Sequence, residues 1–511
     1  MSAPAFVGVT PGIRSLEVSW STVRPSSPAC AVTGYRVHVT ASDAPPRAVD
    51  YPVAPGVGES VKFDGFNDGS TVCVTVAALS GGAEGPVAAP TPNCVQLPAL
   101  PPPPMEVVLH VTADGFAHVF WTPFSQLQPS FGYPISGYLV NVGSASTSLS
   151  ADETHVDLPA VVRGAVRAEV RSVSAVGVGH AMLSDEWDGS SLWHFAGTLT
   201  APQASLPAIV VGDRIFLLGG GVGGGTDSAV TRVRGDGTLD VPTPLGLHLG
   251  RFMAAASVAL NANDAIAFLS GGTSDPFGLT AVRLSANGTA DVPISVGKPM
   301  PADRDGARAE IIDGHLYVLG GISAPERDAG HGPTASVLSC AVTVQPAPDC
   351  GEWVEQRPLP SALFGFATAV IGRHLYAIGG FADSRPSATV FVVTSGADGV
   401  LREWKRTSAP LPAPLVGAEA VTWNGSLLIV GGGADWDGGT PTNQILVGRP
   451  DASGDIKAWS SVPGRLRLIG SRLDPSVAVV SGNLYVIGGR LETPLGNMQS
   501  IGLDTLTAIA P

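Results

Sequence analysis

Leu484-Tyr-Val-Ile-Gly-Gly489 is an apolar run of strand length that ends on two glycines. The phrase returns as Ile215-Phe-Leu-Leu-Gly-Gly220, Ile266-Ala-Phe-Leu-Ser-Gly-Gly272, Leu316-Tyr-Val-Leu-Gly-Gly321, Leu375-Tyr-Ala-Ile-Gly-Gly380 and Leu427-Leu-Ile-Val-Gly-Gly432. The copies lie about 50 residues apart, the period of a propeller or solenoid unit that cannot bury its apolar face alone. A tight-turn signal precedes most copies: Gly212-Asp-Arg, Asp313-Gly-His, Gly372-Arg-His, Asn424-Gly-Ser and Gly482-Asn. Asp236-Gly, Asn287-Gly, Asp398-Gly and Ser453-Gly keep the same phase and fit two-residue hairpin turns with φ above zero. Trp193, Val241, Val292, Trp353, Trp404 and Trp459 stand one ahead of each doublet.

Turn, Leu-Tyr-Val-Ile-Gly-Gly, variable loop, strand, Asp-Gly hairpin, Trp and Leu-Pro, in phase, resemble kelch repeats over 187–511. The resemblance implies a six-bladed β-propeller, each blade a four-stranded sheet around a central channel. Val241 and Val292 replace the family's Trp, so the second and third blades are expected to pack less tightly at the rim. Both the Trp193 strand and a last strand over 503–509 are able to complete the sixth blade.

Upstream the period is two. Leu16-Glu-Val-Ser-Trp20, Gly34-Tyr-Arg-Val-His-Val39 and the series Val72, Val74, Val76, Ala78 alternate as half-buried strands do. Beyond the prolines at 101–104 the order repeats in Ala117-His-Val-Phe-Trp121, Ile135-Ser-Gly-Tyr138 and Val166, Ala168, Val170. The duplicated order of Trp, Gly-Tyr and alternating strand resembles two fibronectin type III domains, 1–98 and 99–186. That resemblance implies β-sandwiches used as spacers. The fold class is therefore all-β: two sandwiches and a propeller.

A charged fraction of 14% and an apolar fraction of 44% exclude a disordered chain. A net charge of −14 without a basic cluster argues against a nucleic-acid partner. The start, Met-Ser-Ala-Pro-Ala, has neither the basic nor the apolar region of a signal peptide. Asn261, Asn263 and Asp264 interrupt the apolar run over 252–269, so no membrane insertion is expected. Five cysteines show no ligand spacing, so neither metal nor cofactor is expected. Cys73 and Cys94 fall opposite each other on a hairpin, as a cross-strand disulfide or two free thiols. Cys340 and Cys350 bracket a short loop and pair with each other, leaving Cys30 over.

Chemistry is sought where the repeat symmetry breaks. The loops after the doublets carry Arg327, Asp328, His331, Asp383, Arg385, Asp435, Trp436 and Asp437. Loops leading into the blades add Arg304 and Arg472 on the same face, by analogy with the family. Trp436 between two acids has the chemistry of a sugar platform, a ring face for C–H groups and carboxylates for hydroxyls. Arg308 and Glu419 share one phase where the fourth blade has Ala367, and Glu310 lies two residues from Arg308. They form either a channel site for an anionic sugar or a satisfied network filling the hole.

Known kelch-type chemistry is disfavoured. The copper radical oxidases need a Tyr cross-linked to Cys, a second Tyr and two His, whereas the propeller's Tyr317, Tyr376 and Tyr485 all occupy one repeat position. The sialidase box Ser-x-Asp-x-Gly-x-Thr-Trp is missing, and the glycine run over 219–225 lacks the Gly-Lys ending of a phosphate loop. The expectation is a non-enzymatic adhesion protein whose propeller binds cell-surface glycan or protein. Its place is extracellular or on a virion as a phage tail or fibre component beside other fibre subunits. The alternatives are a sugar epimerase or lyase, tested at Glu310, Glu419 and His331, or a cytoplasmic peptide-binding kelch adaptor.

Overall fold

The computed structural model describes residues 2–5, 7–25, 31–52, 59–90, 93–104, 106–112, 116–123, 134–159, 165–184, 186–187, 191–200, 203–219, 227–249, 254–271, 278–302, 304–323, 332–382, 385–435, 440–463, 466–490 and 495–503. Every element named among them is a β-strand, and no helix there is long and apolar enough to cross a membrane. The chain forms two compact units. One holds residues 1–105, 124–153 and 169–183, and the other holds 106–123, 154–168 and 184–511.

In the first unit a sheet of Val7–Gly12, Ser15–Trp20 and Glu59–Asp64 faces a sheet ordered Ala44–Pro52, Gly34–Ala41, Thr71–Ser80 and Ala83–Ala88. Alternation decides the packing. Leu16, Val18 and Trp20 meet Tyr35, Val37, Val39, Val72, Val74 and Val76 in one core. The Tyr35 hydroxyl accepts the Val23 N–H at 2.7 Å. Cys94 pairs opposite Cys73 in register and the two are joined by a disulfide. A four-stranded sheet ordered Ala145–Ser150, Ile135–Val142, Ala168–Ser174 and Gly177–Leu183 belongs to this unit apart from Ala168.

The second unit contains six antiparallel blades among its described residues, five of four strands and the third of five, where Asp349–Cys350 and Val354–Glu355 both pair with Val337–Thr343. Their inner strands are Ala208–Val211, Ala254–Ala259, Arg308–Ile312, Ala367–Ile371, Val416–Trp423 and Ser476–Val480. Each inner strand packs beside the next, and the sixth beside the first, so the ring closes. Six apolar clusters fill the six joints between neighbouring blades. The strand His194–Thr198 pairs with Asn497–Gly502 and is the outer strand of the sixth blade. Chain start and chain end of the propeller are thus locked in one sheet. Of the two strands able to complete that blade, the one beside Trp193 does so. The second unit also holds the sheet His155–Pro159, Phe116–Thr122, Glu106–Val111. Its His110 ring nitrogen Nε2 accepts the Phe195 N–H at 2.9 Å.

The glycine doublets are explained by the joints. In four blades both glycines have positive φ: 54° and 87° at Gly320 and Gly321, 58° and 97° at Gly488 and Gly489. Only glycine adopts two such residues in succession without strain. The second N–H of each pair reaches a carbonyl of the following blade. Gly321 donates to Leu363 at 2.9 Å, Gly380 to Leu415 at 2.7 Å, Gly432 to Arg472 at 2.9 Å and Gly489 to Gln203 at 3.0 Å.

The tyrosines of that repeat join blades too. Tyr317 hydrogen-bonds the Gly399 carbonyl at 2.9 Å, Tyr376 that of Gly454 at 2.9 Å and Tyr485 that of Gly237 at 3.0 Å. The Asp-Gly hairpins that offer these carbonyls differ from the two-residue turns expected. Arg234 N–H donates to Thr238 and Gly237 N–H to Arg234, with φ 84° at the glycine alone. This is a longer loop, a turn followed by a glycine bulge.

Candidate functional site

Residues of the inner strands and of the segments that lead into them line a cavity of about 430 Å³ in the middle of the ring. All six blades line it. The first and second blades contribute Ala208, Ala254 and Ala255, and the others contribute Arg308, Glu310, Thr368, Glu419 and Val477 among their residues. The three charged residues placed in the channel by the sequence, Arg308, Glu310 and Glu419, are thus brought to one space.

Arg308 reaches past the fourth blade. Its Nη1 donates to Glu419 Oε2 at 2.7 Å and its Nε to the Phe366 carbonyl at 2.7 Å. Each side chain of the pair keeps about a quarter of its surface accessible, 25% and 24%. That surface faces the cavity rather than bulk solvent, so the surrounding protein still desolvates both groups. Burial accordingly raises the Glu419 carboxyl although Arg308 draws it down. Glu310 is pushed up to about 7, by burial first and by the Glu419 charge, against the Thr368 hydrogen bond and Arg308.

Asp474 also lines the cavity. It holds a φ of 48°, uncommon for a residue with a side chain. Its Oδ2 accepts Arg490 Nε at 2.8 Å, with both side chains buried. Burial raises its carboxyl, opposed by Arg490. At the cavity wall Phe364 stacks on Phe381, with ring centroids 5.0 Å apart and planes 13° apart. Asp474, Thr368 and this aromatic pair escaped the sequence reading. The Asp474 signal was a helper arginine sixteen residues later in another strand's loop, which spacing alone does not pair. The Phe364 and Phe381 rings meet because Leu363–Phe364 and Phe381–Ala382 pair as strands.

Two residues expected on the binding face are internal. Arg304 and Arg472 are 1% and 0% exposed. They occupy the joint position held by Leu363 and Leu415 in the fourth and fifth blades, where a backbone carbonyl meets the preceding doublet. Arg472 is a backbone clamp: Nη1 donates to Gly488 O at 2.9 Å and Asn497 Oδ1 at 3.2 Å, and Nη2 to Ile469 O at 2.6 Å. Arg385 is exposed on the short strand Arg385–Pro386. Asp435 accepts the Thr440 hydroxyl at 2.8 Å. Trp436, Asp437, Arg327, Asp328, His331 and Asp383 lie outside the described residues.

Among the described residues no group of three or more His, Cys, Asp or Glu is placed to hold a metal ion. Cys340 and Cys350 are bonded to each other across the outer hairpin of the third blade.

No model of a protein family matches the chain. The Kelch-like protein terF of Aspergillus terreus (strain NIH 2624 / FGSC A1156) is 33% identical over 136 residues, 26% of this chain and 27% of that protein. The solved structure of YjhT is 16% identical, with a TM-score of 0.44 over 59% of this chain and 95% of that one. The in-phase repeat, the closed ring of six sheets and the kelch-like relative agree on an all-β, kelch-type propeller. A fold of that type points to binding or scaffolding.

Proposed function

We propose that this chain is a non-enzymatic recognition protein whose propeller is the binding head and whose N-terminal sandwiches, fibronectin-type-III-like in sequence, serve as spacer. One observation carries the reading. Three charged groups of the cavity are fixed in place, Arg308 by Glu419 and the Phe366 carbonyl, Glu419 by Arg308, and Asp474 by Arg490. Such a fixed set presents a shaped polar surface, as binding pockets do, with apolar walls and a few placed polar groups. At its finest the reading is adhesion to cell-surface glycan or protein, from an extracellular or virion-surface position, without a nucleic-acid partner.

A second reading, a sugar epimerase or lyase, draws on Glu310. A carboxyl pushed up to about 7 suits proton transfer near neutral pH. The full chain on a glycan array and on immobilised cell-surface protein separates the two. Retention on a defined partner without turnover, lost in Trp436→Ala or Phe364→Ala, supports recognition. Turnover of a retained sugar that Glu310→Gln abolishes makes the chain an enzyme. No retention on either surface overturns both.

A further inference from the structure

The axial cavity is chemically two-sided. Towards the first and second blades its wall is Leu206, Pro207, Ala208, Ala254 and Ala255, with the Ser205 hydroxyl as the hydrogen-bonding side chain there. Towards the third, fifth and sixth blades it carries Asp305, Arg308, Glu310, Glu419 and Asp474. One guanidinium of the lining therefore faces four carboxyl groups, and a second, Arg490, is engaged with Asp474. Arg308 is itself committed to Glu419 and a backbone carbonyl. The hydrogen bond on Glu310 comes from the neutral Thr368 hydroxyl. Negative charge exceeds positive on this wall, and an anionic ligand meets repulsion there.

Three ligand classes are tested by the same wall. A metal ion needs several oxygens converging at short range, and no such group occurs among the described residues. A hydroxyl-rich sugar needs polar partners on every side, and the Pro207, Ala208, Ala254 and Ala255 side chains offer it none. The volume, about 430 Å³, is that of an organic ligand site. An organic cation with an aliphatic stem satisfies all three constraints. Its head offsets the excess carboxylate, and its methylenes cover alanine.

We propose that this cavity binds an alkylammonium or guanidinium head on an aliphatic stem, the chemistry of a lysine or arginine side chain, with the head at Glu310 and Glu419 and the stem along Ala254 and Ala255. The inference rests on the recognition reading and names the ligand chemistry of that site. Burial holds Glu310 partly protonated near neutrality, and an entering cation favours its charged form. Binding at pH 7 thus releases a proton and tightens as pH rises through 7. The groups acting on Glu310 are Arg308 on its own strand, Thr368 on the next and Glu419 beyond, and Asp305 and Asp474 line the same cavity. The lining residues of the first and second blades are not titratable.

The test is calorimetric titration of the full chain with Nα-acetyl-lysine amide and with Nα-acetyl-norleucine amide, which keeps the stem and lacks the charge. The lysine compound is expected to bind and the norleucine compound to fail. Glu419→Gln weakens the lysine compound about tenfold or more, the scale of one charged hydrogen bond. Ala255→Leu fills the cavity, leaves the carboxylates alone and also abolishes binding, with the far-ultraviolet spectrum unchanged. A blocked Gly-Gly-Lys-Gly-Gly peptide distinguishes the source. Tighter binding than the amide assigns the cavity to a polypeptide partner, and equal binding assigns it to the free amine. Equal affinity for norleucine amide, or no lysine binding at millimolar concentration, overturns the inference. Retention on an array with no amine binding overturns this inference alone and leaves recognition standing.

Discussion

The first two blades and the last four descend from one repeat and are joined by different means. In the third to sixth blades an indole N–H on the outer strand or just ahead of it donates to a distant backbone carbonyl. Trp353 reaches Lys298 at 2.8 Å, Trp404 Arg357 at 3.2 Å, Trp459 Ala409 at 3.3 Å and Trp193 Leu466 at 2.9 Å. At the same phase Val241 and Val292 are 71% and 80% exposed. The outer strands that follow them belong to the first and second blades, one blade earlier than the sequence phase implied. Tyrosine hydroxyl links leave the third, fourth and sixth blades, whereas Phe216 and Phe268 hold that position in the first two. The channel repeats the division, alanine on one side and charge on the other. Polar clamps and the charged side of the cavity thus occur together, in the third to sixth blades.

That comparison is open to breaking at the rim first. Trp404→Ala removes a buried indole and its bond, and is expected to cost about 3–5 kcal/mol in urea unfolding. Val292→Ala is expected to stay within about 0.5 kcal/mol. Equal losses would dissolve the distinction between the two parts. In the channel, Arg308→Met leaves Glu419 without its cation and is expected to cost about 2–3 kcal/mol. Combined with Glu419→Gln in a double-mutant cycle, it returns a coupling of about 1–3 kcal/mol. A coupling of zero would make the ion pair incidental to the ring.

The third prediction concerns pH. The folded-state carboxyl of Glu310 is raised to about 7 from 4.5, so the folded chain binds the extra proton between these values. Its contribution therefore falls as pH rises through that window and is least favourable above 7. Glu310→Gln removes this dependence. Its Tm relative to the parent should climb from pH 4.5 to 7 and level off above, worth about 1–3 kcal/mol at the plateau. A flat difference would place Glu310 in water rather than in a desolvated channel. The smallest effect is Tyr376→Phe, about 1 kcal/mol for one neutral hydrogen bond. Hydrogen exchange at the 451–455 hairpin should quicken in that variant and stay unchanged in Phe268→Leu.

By itself the sequence determined the strands, the blade count and the phase of the repeat. These follow from local chemistry: alternation sets a face, and two left-handed residues in succession demand glycine. It also put Arg308, Glu310 and Glu419 in one channel, because equal phase in a closed ring means equal distance from the axis. The tertiary structure alone decided which strand closes the ring and what the charges do. Arg308 pairs with Glu419 across 111 residues and over an intervening blade, and Arg472 turns inward to clamp Gly488 rather than facing a ligand. Partners so distant in sequence are chosen by the curvature of the ring and by what remains unpaired after its joints close. No local pattern encodes either.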